Sequence, residues 1–124
     1  MKYVIHAYEQ SYGALHGIDT CLAVEADDYS NVVDMACEAS RDVMSSYSFI
    51  EEALREQACF YCGVDEYDEE DDELERAYED AVEENIDYNI WQVNEDCPYT
   101  RDEIDQMIAD DLEGFVEEFC TFVE

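Results

Sequence analysis

The pair Cys59 and Cys62 is the first place in this chain where residue type and spacing could do chemistry. Two cysteines separated by two residues and followed by Gly63 form half of the ligand pattern of a zinc ribbon. A structural zinc site needs four ligands, and the sequence has no second pair with this spacing. The other ligands would have to come from distant positions: Cys21, Cys97, His6 or His16. The pattern favours unligated loop cysteines, and a metal-binding module is the alternative.

A dense run of carboxylates between residues 65 and 87 is the second candidate. A calcium loop needs a glycine for its sharp turn, and the sequence has no glycine between residues 64 and 113. Carboxylate pairs are also too numerous to single out one general acid and one general base. We expect the run to bind a partner through its charge, with Tyr67 as an exposed aromatic contact. The predicted partner-binding residues are Asp65, Glu66, Tyr67, Asp68, Glu69, Glu70, Asp71, Asp72, Glu73, Glu75, Glu79, Asp80, Glu83, Glu84 and Asp87.

The net charge narrows the class of partner. The chain has 36 Asp and Glu against 5 Lys and Arg in 124 residues, for a formal charge of −31. DNA, RNA and anionic membranes present dense negative surfaces and are thereby excluded as direct partners. We expect a partner with a strongly basic surface, and the groove of a nucleic-acid-binding protein is such a surface.

A helix predicted for residues 71–85 would carry much of this charge. At ~1.5 Å per residue it is ~22 Å long, and its exposed face is mostly Asp and Glu. B-DNA carries one charge per ~1.7 Å of axis, so this helix could lie where phosphates normally lie. Acids four residues apart, such as Glu75 and Glu79, repel each other and destabilise the helix. This cost favours a functional explanation over a charged surface that serves only solubility. Acids between residues 102 and 118 would extend the surface.

These residues must be positioned by a small α+β fold. Hydrophobic residues make up 48% of the chain, which is enough for a core, and the length fits a single domain over residues 1–124. Period-two alternation and helical spacing predict the order β-β-α-α-α-β-α. We expect a three-stranded antiparallel sheet with amphipathic helices packed on one face. The predicted strands are 3–8, 18–25 and 86–93, and the predicted helices are 30–46, 49–58, 71–85 and 101–122.

Local patterns set the expected boundaries of these elements. Ser48 with Glu51, and Thr100 with Glu103, match the capping box that begins a helix. Residues 59–70 are expected to form a loop. The first two strands are expected to form a hairpin with a long connection that contains two glycines. On the second strand one face would be formed by Ile18, Thr20, Leu22 and Val24.

Catalysis and membrane insertion have little support in the sequence. The sequence has no nucleophile elbow, P-loop or zinc-protease motif, so we expect neither enzyme activity nor a cofactor. No apolar run approaches the ~20 residues of a membrane helix. The N-terminus does not read as a secretory signal, so a location in the host cytoplasm with reduced cysteines is expected.

The overall profile resembles small acidic DNA-mimic proteins that phages and mobile elements use against host defence, of the anti-CRISPR or antirestriction type. The opening is more specific. Tyr3-Val4, followed by Tyr12-Gly13-Ala14-Leu15-His16-Gly17-Ile18-Asp19, is similar to the start of the antirestriction DNA mimics of conjugative elements. The similarity covers about the first twenty residues. It implies competitive occupation of a DNA-binding surface without catalysis.

The sequence therefore predicts a non-catalytic inhibitor that occupies the basic nucleic-acid-binding groove of a CRISPR effector or a restriction enzyme. Binding through such a surface should weaken steeply with added salt. The alternative is an acidic adaptor or chaperone-like protein that shields a basic partner without mimicking DNA.

Overall fold

Residues 1–9 and 19–124 are described by the computed structural model, and they form four strands and four helices in the order β-β-α-α-α-β-α-β. In chain order these are β1 (Lys2–Glu9), β2 (Asp19–Glu25), α1 (Tyr29–Ser45), α2 (Ser48–Cys62), α3 (Asp72–Glu84), β3 (Ile86–Val93), α4 (Arg101–Phe119) and β4 (Cys120–Phe122). The α+β class is confirmed. The expected three-stranded sheet is wrong, because a fourth strand follows the last helix.

The connection between β1 and β2 lies outside the described residues. It contains most of the motif that carries the family resemblance, together with the predicted turn glycines and one of the candidate zinc ligands. The expectations for Gly13, His16, Gly17 and Ile18 therefore stay predictions.

The sheet is antiparallel throughout, with the strand order β2-β1-β3-β4. In the middle of it lies β1, whose Val4 is opposite Ala23 on β2 and opposite Trp91 on β3. Val4 and Ile5 are neighbours and so point to opposite faces, yet both are fully buried. Both faces of the sheet are therefore covered.

The helices cover the sheet from two sides. On one face Val32 and Ala36 of α1 pack with Ile5 of β1 and Ile90 of β3. On the other face Ile104, Ile108 and Phe115 of α4 pack with Val4, Ala23 and Val93. The expectation that all helices pack on one face is wrong. Its physical reason is the continuous apolar run at the start of β1, which is typical of a strand buried on both faces.

A third apolar cluster joins α2 and α3 to the rest of the fold. Ile50 and Leu54 of α2 and Ala81 of α3 pack with Val43 and Met44 at the end of α1. Ile86, the first residue of β3, borders this cluster. The acidic helix α3 is thus held by its apolar stripe against α2, next to one end of the sheet.

The boundaries of α2 differ from the prediction at both ends. Its N-cap is Tyr47, which makes no side-chain capping bond, so the expected capping box of Ser48 and Glu51 is wrong. The helix continues through Cys62, where a loop was expected for residues 59–70. Gly63 ends it with a φ of 69°, and Val64 N–H bonds back to the Cys59 carbonyl at 3.0 Å. A left-handed residue that favours glycine is the usual end of a helix.

The last helix is shorter and less regular than the prediction of 101–122. The capping box of Thr100 and Glu103 is confirmed. Asp111 has non-helical angles (φ −154°, ψ 87°), and its carboxylate accepts a bond from Gly114 N–H at 3.1 Å. Asp111 therefore caps the second half of α4. A Cβ at Gly114 would lie 2.3 Å from the Asp111 carboxylate, so a larger residue there would displace the capping side chain.

The other elements follow the sequence. The predicted helices 30–46 and 71–85 correspond to α1 and α3, and the strand predicted for 86–93 is β3. Leu22 and Val24 share the face that packs toward α1, as expected. Among the described residues, none of the helices combines the length and the apolar character needed to cross a lipid bilayer.

Candidate partner-binding surface

The acidic run is ordered at its start by its own carboxylates. Asp68 accepts a hydrogen bond from Glu70 N–H at 3.0 Å, which closes a turn before α3. Asp71 is the N-cap of α3 and accepts bonds from Glu73 N–H at 2.9 Å and Leu74 N–H at 3.4 Å. Acids in the first turn also interact favourably with the positive end of the helix dipole. These local contacts convert a low-complexity sequence into a capped helix.

Most of the carboxylates on α3 point away from the core. At about 100° per residue they spread over roughly half of the helix circumference, opposite buried Leu74 and Ala81. Arg76 stands near the middle of this arc and is exposed. Asp87, on β3, is half-buried, and every other acid of the predicted set is exposed. We call the α3 carboxylates the α3 acidic face: Asp72, Glu73, Glu75, Glu79, Asp80, Glu83 and Glu84.

The α3 acidic face has the charge density of one nucleic-acid strand. The helix has 13 residues, and its seven carboxylates and one guanidinium leave a net charge of −6. Its length is about 20 Å at 1.5 Å per residue, so the spacing is roughly 3.3 Å per net charge. A single strand of B-DNA carries one charge per ~3.4 Å. The comparison holds for one strand and not for the whole duplex.

The C-terminal end of the face is tied to neighbouring helices. Glu83 forms an ion pair with Arg41 of α1. Glu84 accepts hydrogen bonds from Gln57 Nε2 at 3.2 Å and from the Tyr61 hydroxyl at 3.3 Å, both on α2. These bonds hold the acids at the end where the helix dipole disfavours negative charge.

Asp87 lies in a different environment from the α3 carboxylates, because it is half-buried on β3. Its carboxylate accepts a hydrogen bond from Tyr88 N–H at 2.9 Å. Burial, followed by the nearby charge of Asp87, raises the pKa of Tyr8 above its usual value. Asp87 therefore lies at the border between the acidic surface and the sheet.

Tyr67 is not the exposed aromatic residue that the sequence suggested. Its ring is half-buried, 6.0 Å from the ring of Tyr78, and the guanidinium carbon of Arg55 lies 5.6 Å from its centroid. Burial raises the pKa of Tyr67, while the charge of Arg55 lowers it. A cation over an aromatic face is attracted to the ring. Tyr67 therefore anchors the acidic loop onto α2 and α3.

The most exposed aromatic side chain among the described residues, Phe60, lies instead at the end of α2. Phe60 is 83% exposed and Tyr61 is 58% exposed, and Val64 beside them is also exposed. Phe60 and Val64 line an open groove of about 490 Å³, together with carboxylates that include Glu56 and Asp65. We call Phe60, Tyr61 and Val64 the α2 apolar patch. The sequence contained one signal for it, because Phe60 lies off the helical stripe of Ile50, Leu54 and Ala58.

The acids of α4 belong to a different layer. They cover the outside of the helix that packs on the second face of the sheet, whereas α3 packs on α2. Asp105 is the exception among them. Its carboxylate accepts a hydrogen bond from Ala23 N–H at 2.6 Å, and Arg101 donates to it at 3.4 Å.

The structure does not bring the residues considered as zinc ligands together at Cys59 and Cys62. Cys97 is partly buried in the apolar cluster under α4, and His16 lies outside the described residues. Cys59 is buried and Cys62 half-buried in the last turn of α2. Burial, followed by the charge of Glu73, raises the pKa of Cys62. His6 and Cys21 lie far from them on the sheet. Within the described ranges, a single group of at least three potential ligand side chains converges, formed by His6, Asp19 and Cys21.

Comparisons with known proteins found no counterpart. The chain matches no protein-family model, no curated protein and no solved structure.

Proposed function

We propose that this protein is a non-catalytic inhibitor that occupies the basic nucleic-acid-binding groove of a host defence nuclease, either a CRISPR effector or a restriction complex. The α3 acidic face takes the place of a phosphate backbone there. The observation that carries the proposal is the arc of exposed carboxylates on a capped helix whose other side is packed. Folding does not call for such an arc, since neighbouring acids on a helix repel each other.

The physical basis is competition for basic side chains. Arg and Lys in the groove normally contact phosphates, and counterions are released from the nucleic acid when they do. Carboxylates with the charge density of one strand would meet the same side chains and release counterions in the same way. The affinity should therefore fall steeply with salt, as it does for nucleic acid itself.

The decisive experiment is displacement of a fluorescent DNA duplex from purified CRISPR effectors and restriction enzymes. The protein should displace the duplex from one of them with no turnover, and its inhibition constant should rise steeply with salt. Simultaneous binding of DNA and protein, or an inhibition constant that ignores ionic strength, would overturn the proposal.

A matched pair of variants assigns the effect to α3. Glu79→Gln with Asp80→Asn removes two exposed carboxylates from the α3 acidic face and leaves its cap and ion pair intact. Glu117→Gln with Glu118→Gln removes two adjacent exposed carboxylates from α4. The first pair should weaken inhibition at least about tenfold, which is 1.4 kcal/mol, and the second should have little effect. Equal losses of inhibition in the two double variants would indicate that inhibition depends on the net charge of the protein and not on the position of the carboxylates.

The α2 apolar patch favours a second candidate function. Phe60 and its neighbours have no counterpart in a nucleic-acid backbone, and exposed aromatic residues are typical anchors of protein interfaces. An acidic adaptor that shields a basic protein would use such a patch and need not enter its groove. A ternary complex with DNA in the displacement experiment, lost on Phe60→Ala, would favour this candidate.

A further inference from the structure

The cluster of His6, Asp19 and Cys21 lies on the sheet, away from the α3 acidic face. His6 of β1 is directly opposite Cys21 of β2, so their side chains share a face. Asp19 lies two residues before Cys21 and therefore points the same way. His6 Nε2 is 2.5 Å from Asp19 Oδ2, and the three potential ligand atoms all lie within 4.8 Å of one another.

We propose that His6, Asp19 and Cys21 form a binding site for a zinc ion. Zinc binds imidazole nitrogen, carboxylate oxygen and thiolate sulfur at about 2.0–2.3 Å in a tetrahedron, which places ligand atoms roughly 3.3–3.7 Å apart. To reach this geometry the His6–Asp19 contact must open by about 1 Å, and a ligand pair at the 4.8 Å limit must close by about the same amount. Three protein ligands leave the fourth position to water.

The ligand types at this site differ from those of the many carboxylates on the rest of the surface. Magnesium and calcium prefer oxygen ligands, whereas the sulfur and nitrogen of Cys21 and His6 suit zinc. The carboxylate and a thiolate together balance the charge of the ion. The strand pairing also holds the ligands in place, because Asp19 and Cys21 lie on β2 and His6 lies on β1, to which β2 is hydrogen-bonded.

The cluster of His6, Asp19 and Cys21 is partly buried by neighbouring side chains and remains partly exposed to solvent. The side chain of His6 is 16% exposed, and Cys21 packs against the apolar cluster under α4. The ring of Tyr8 lies 5.1 Å from that of His6. A bound ion would link β2, at the edge of the sheet, to the central strand β1. Ligand binding to the folded state alone raises its stability, so zinc should protect this strand pair.

The test uses the full chain and cobalt as a spectroscopic probe for zinc. In excess magnesium, to fill the carboxylate surface, the protein should bind one equivalent of cobalt with a thiolate-to-cobalt charge-transfer band, and zinc should abolish that band. Cys21→Ser and His6→Gln should each weaken zinc binding by more than about 100-fold, exceeding the usual loss of an outer-shell partner. Cys97→Ser and Cys62→Ser serve as controls and should bind like the unmodified chain.

X-ray absorption of the zinc-loaded, unmodified chain keeps the test independent of variant folding. One sulfur and otherwise nitrogen and oxygen neighbours are expected around zinc. Two sulfur neighbours would assign the ion to a cysteine pair, either Cys59 with Cys62 or Cys97 with Cys120, and no sulfur would assign it to surface carboxylates. Either result, or zinc binding unchanged in Cys21→Ser, would overturn the proposal.

Discussion

The guanidinium of Arg41 on α1 pairs with the carboxylate of Glu83 on α3. The chain has 5 basic Lys and Arg side chains, and most of them connect elements in this way. Lys2 Nζ donates to the Tyr99 carbonyl at 3.1 Å, and Arg101 donates to the Ala23 carbonyl at 3.0 Å. The few basic side chains thus join acidic elements to the rest of the fold, and they do more than neutralise surface carboxylates.

The ion pair of Arg41 and Glu83 should contribute measurably but weakly to stability. Both side chains are about half exposed, and exposed pairs contribute roughly 0.5 kcal/mol. A double-mutant cycle with Arg41→Gln and Glu83→Gln, measured by urea unfolding, should give a coupling energy of about this size that shrinks in high salt. A coupling of zero at low salt would mean that the pair does not form in solution.

Asp71 should act mainly as a cap and only secondarily as a charge. Asp71→Ala removes the acceptor of two backbone bonds and should cost about 1 kcal/mol of unfolding free energy. Asp71→Asn keeps an equally good capping oxygen and should be close to neutral. Urea unfolding of the two variants separates the roles. If Asp71→Asn is as destabilising as Asp71→Ala, the negative charge at the helix dipole is the larger effect.

Phe60 should matter for binding and not for folding. Phe60→Ala removes a side chain that is 83% exposed, so the unfolding free energy should change by less than about 0.5 kcal/mol. If the α2 apolar patch contacts the partner, the same change should weaken inhibition about tenfold or more. Phe49→Ala, at the other end of α2, is the control. Inhibition unaffected by Phe60→Ala would place the patch outside the interface.

Tyr29 should make the fold sensitive to alkaline pH. Its hydroxyl is buried without a well-formed hydrogen bond among the described residues. Burial, followed by the contact of the hydroxyl with the Glu124 carboxylate and then by the charge of Glu124, raises the pKa of Tyr29 to about 12. A tyrosine in the unfolded chain has a pKa near 10. The unfolded state therefore loses this proton first, and the contribution present below about pH 10 is lost as the pH rises toward about 12.

Tyr29→Phe should reduce this loss of stability between pH 9 and pH 11 in urea unfolding. It should not remove it, because burial also raises the pKa of other tyrosines such as Tyr88. Tyr47→Phe changes an exposed side chain and should follow the unmodified protein. Equal pH slopes for all three proteins would contradict the assignment to Tyr29.

Local rules were enough to predict the element that carries the proposed function. Helical spacing from Leu74 to Val82 marked α3, and alternation marked β3 to the residue. Thr100 and Glu103 marked the start of α4 because a capping box involves only neighbours in sequence. A helical stripe, strand alternation and a capping box each depend on interactions between residues that are close in sequence. They can therefore be predicted from the sequence alone.

Short segments near helix ends were harder to predict. Cys120–Phe122 continues the apolar spacing of α4, yet it forms β4. The ring of Phe122 packs 5.8 Å from that of Trp91, and Val123 N–H bonds to the Ile90 carbonyl at 2.9 Å. Cys120–Phe122 forms a strand because the edge of β3 is available for pairing. The position of that edge is a property of the assembled sheet.

The sequence alone determined that the chain is strongly acidic, that it nevertheless has an apolar stripe in each helix, and that 14 of its 36 acids lie between residues 65 and 87. Only the tertiary structure decided which residues meet across long separations: Arg41 with Glu83, Arg55 with Tyr67, and His6 with Cys21. The physical reason is that strand register and helix packing are set by burying all apolar stripes together. A residue's distant neighbours follow from that collective arrangement and are not visible in its local sequence.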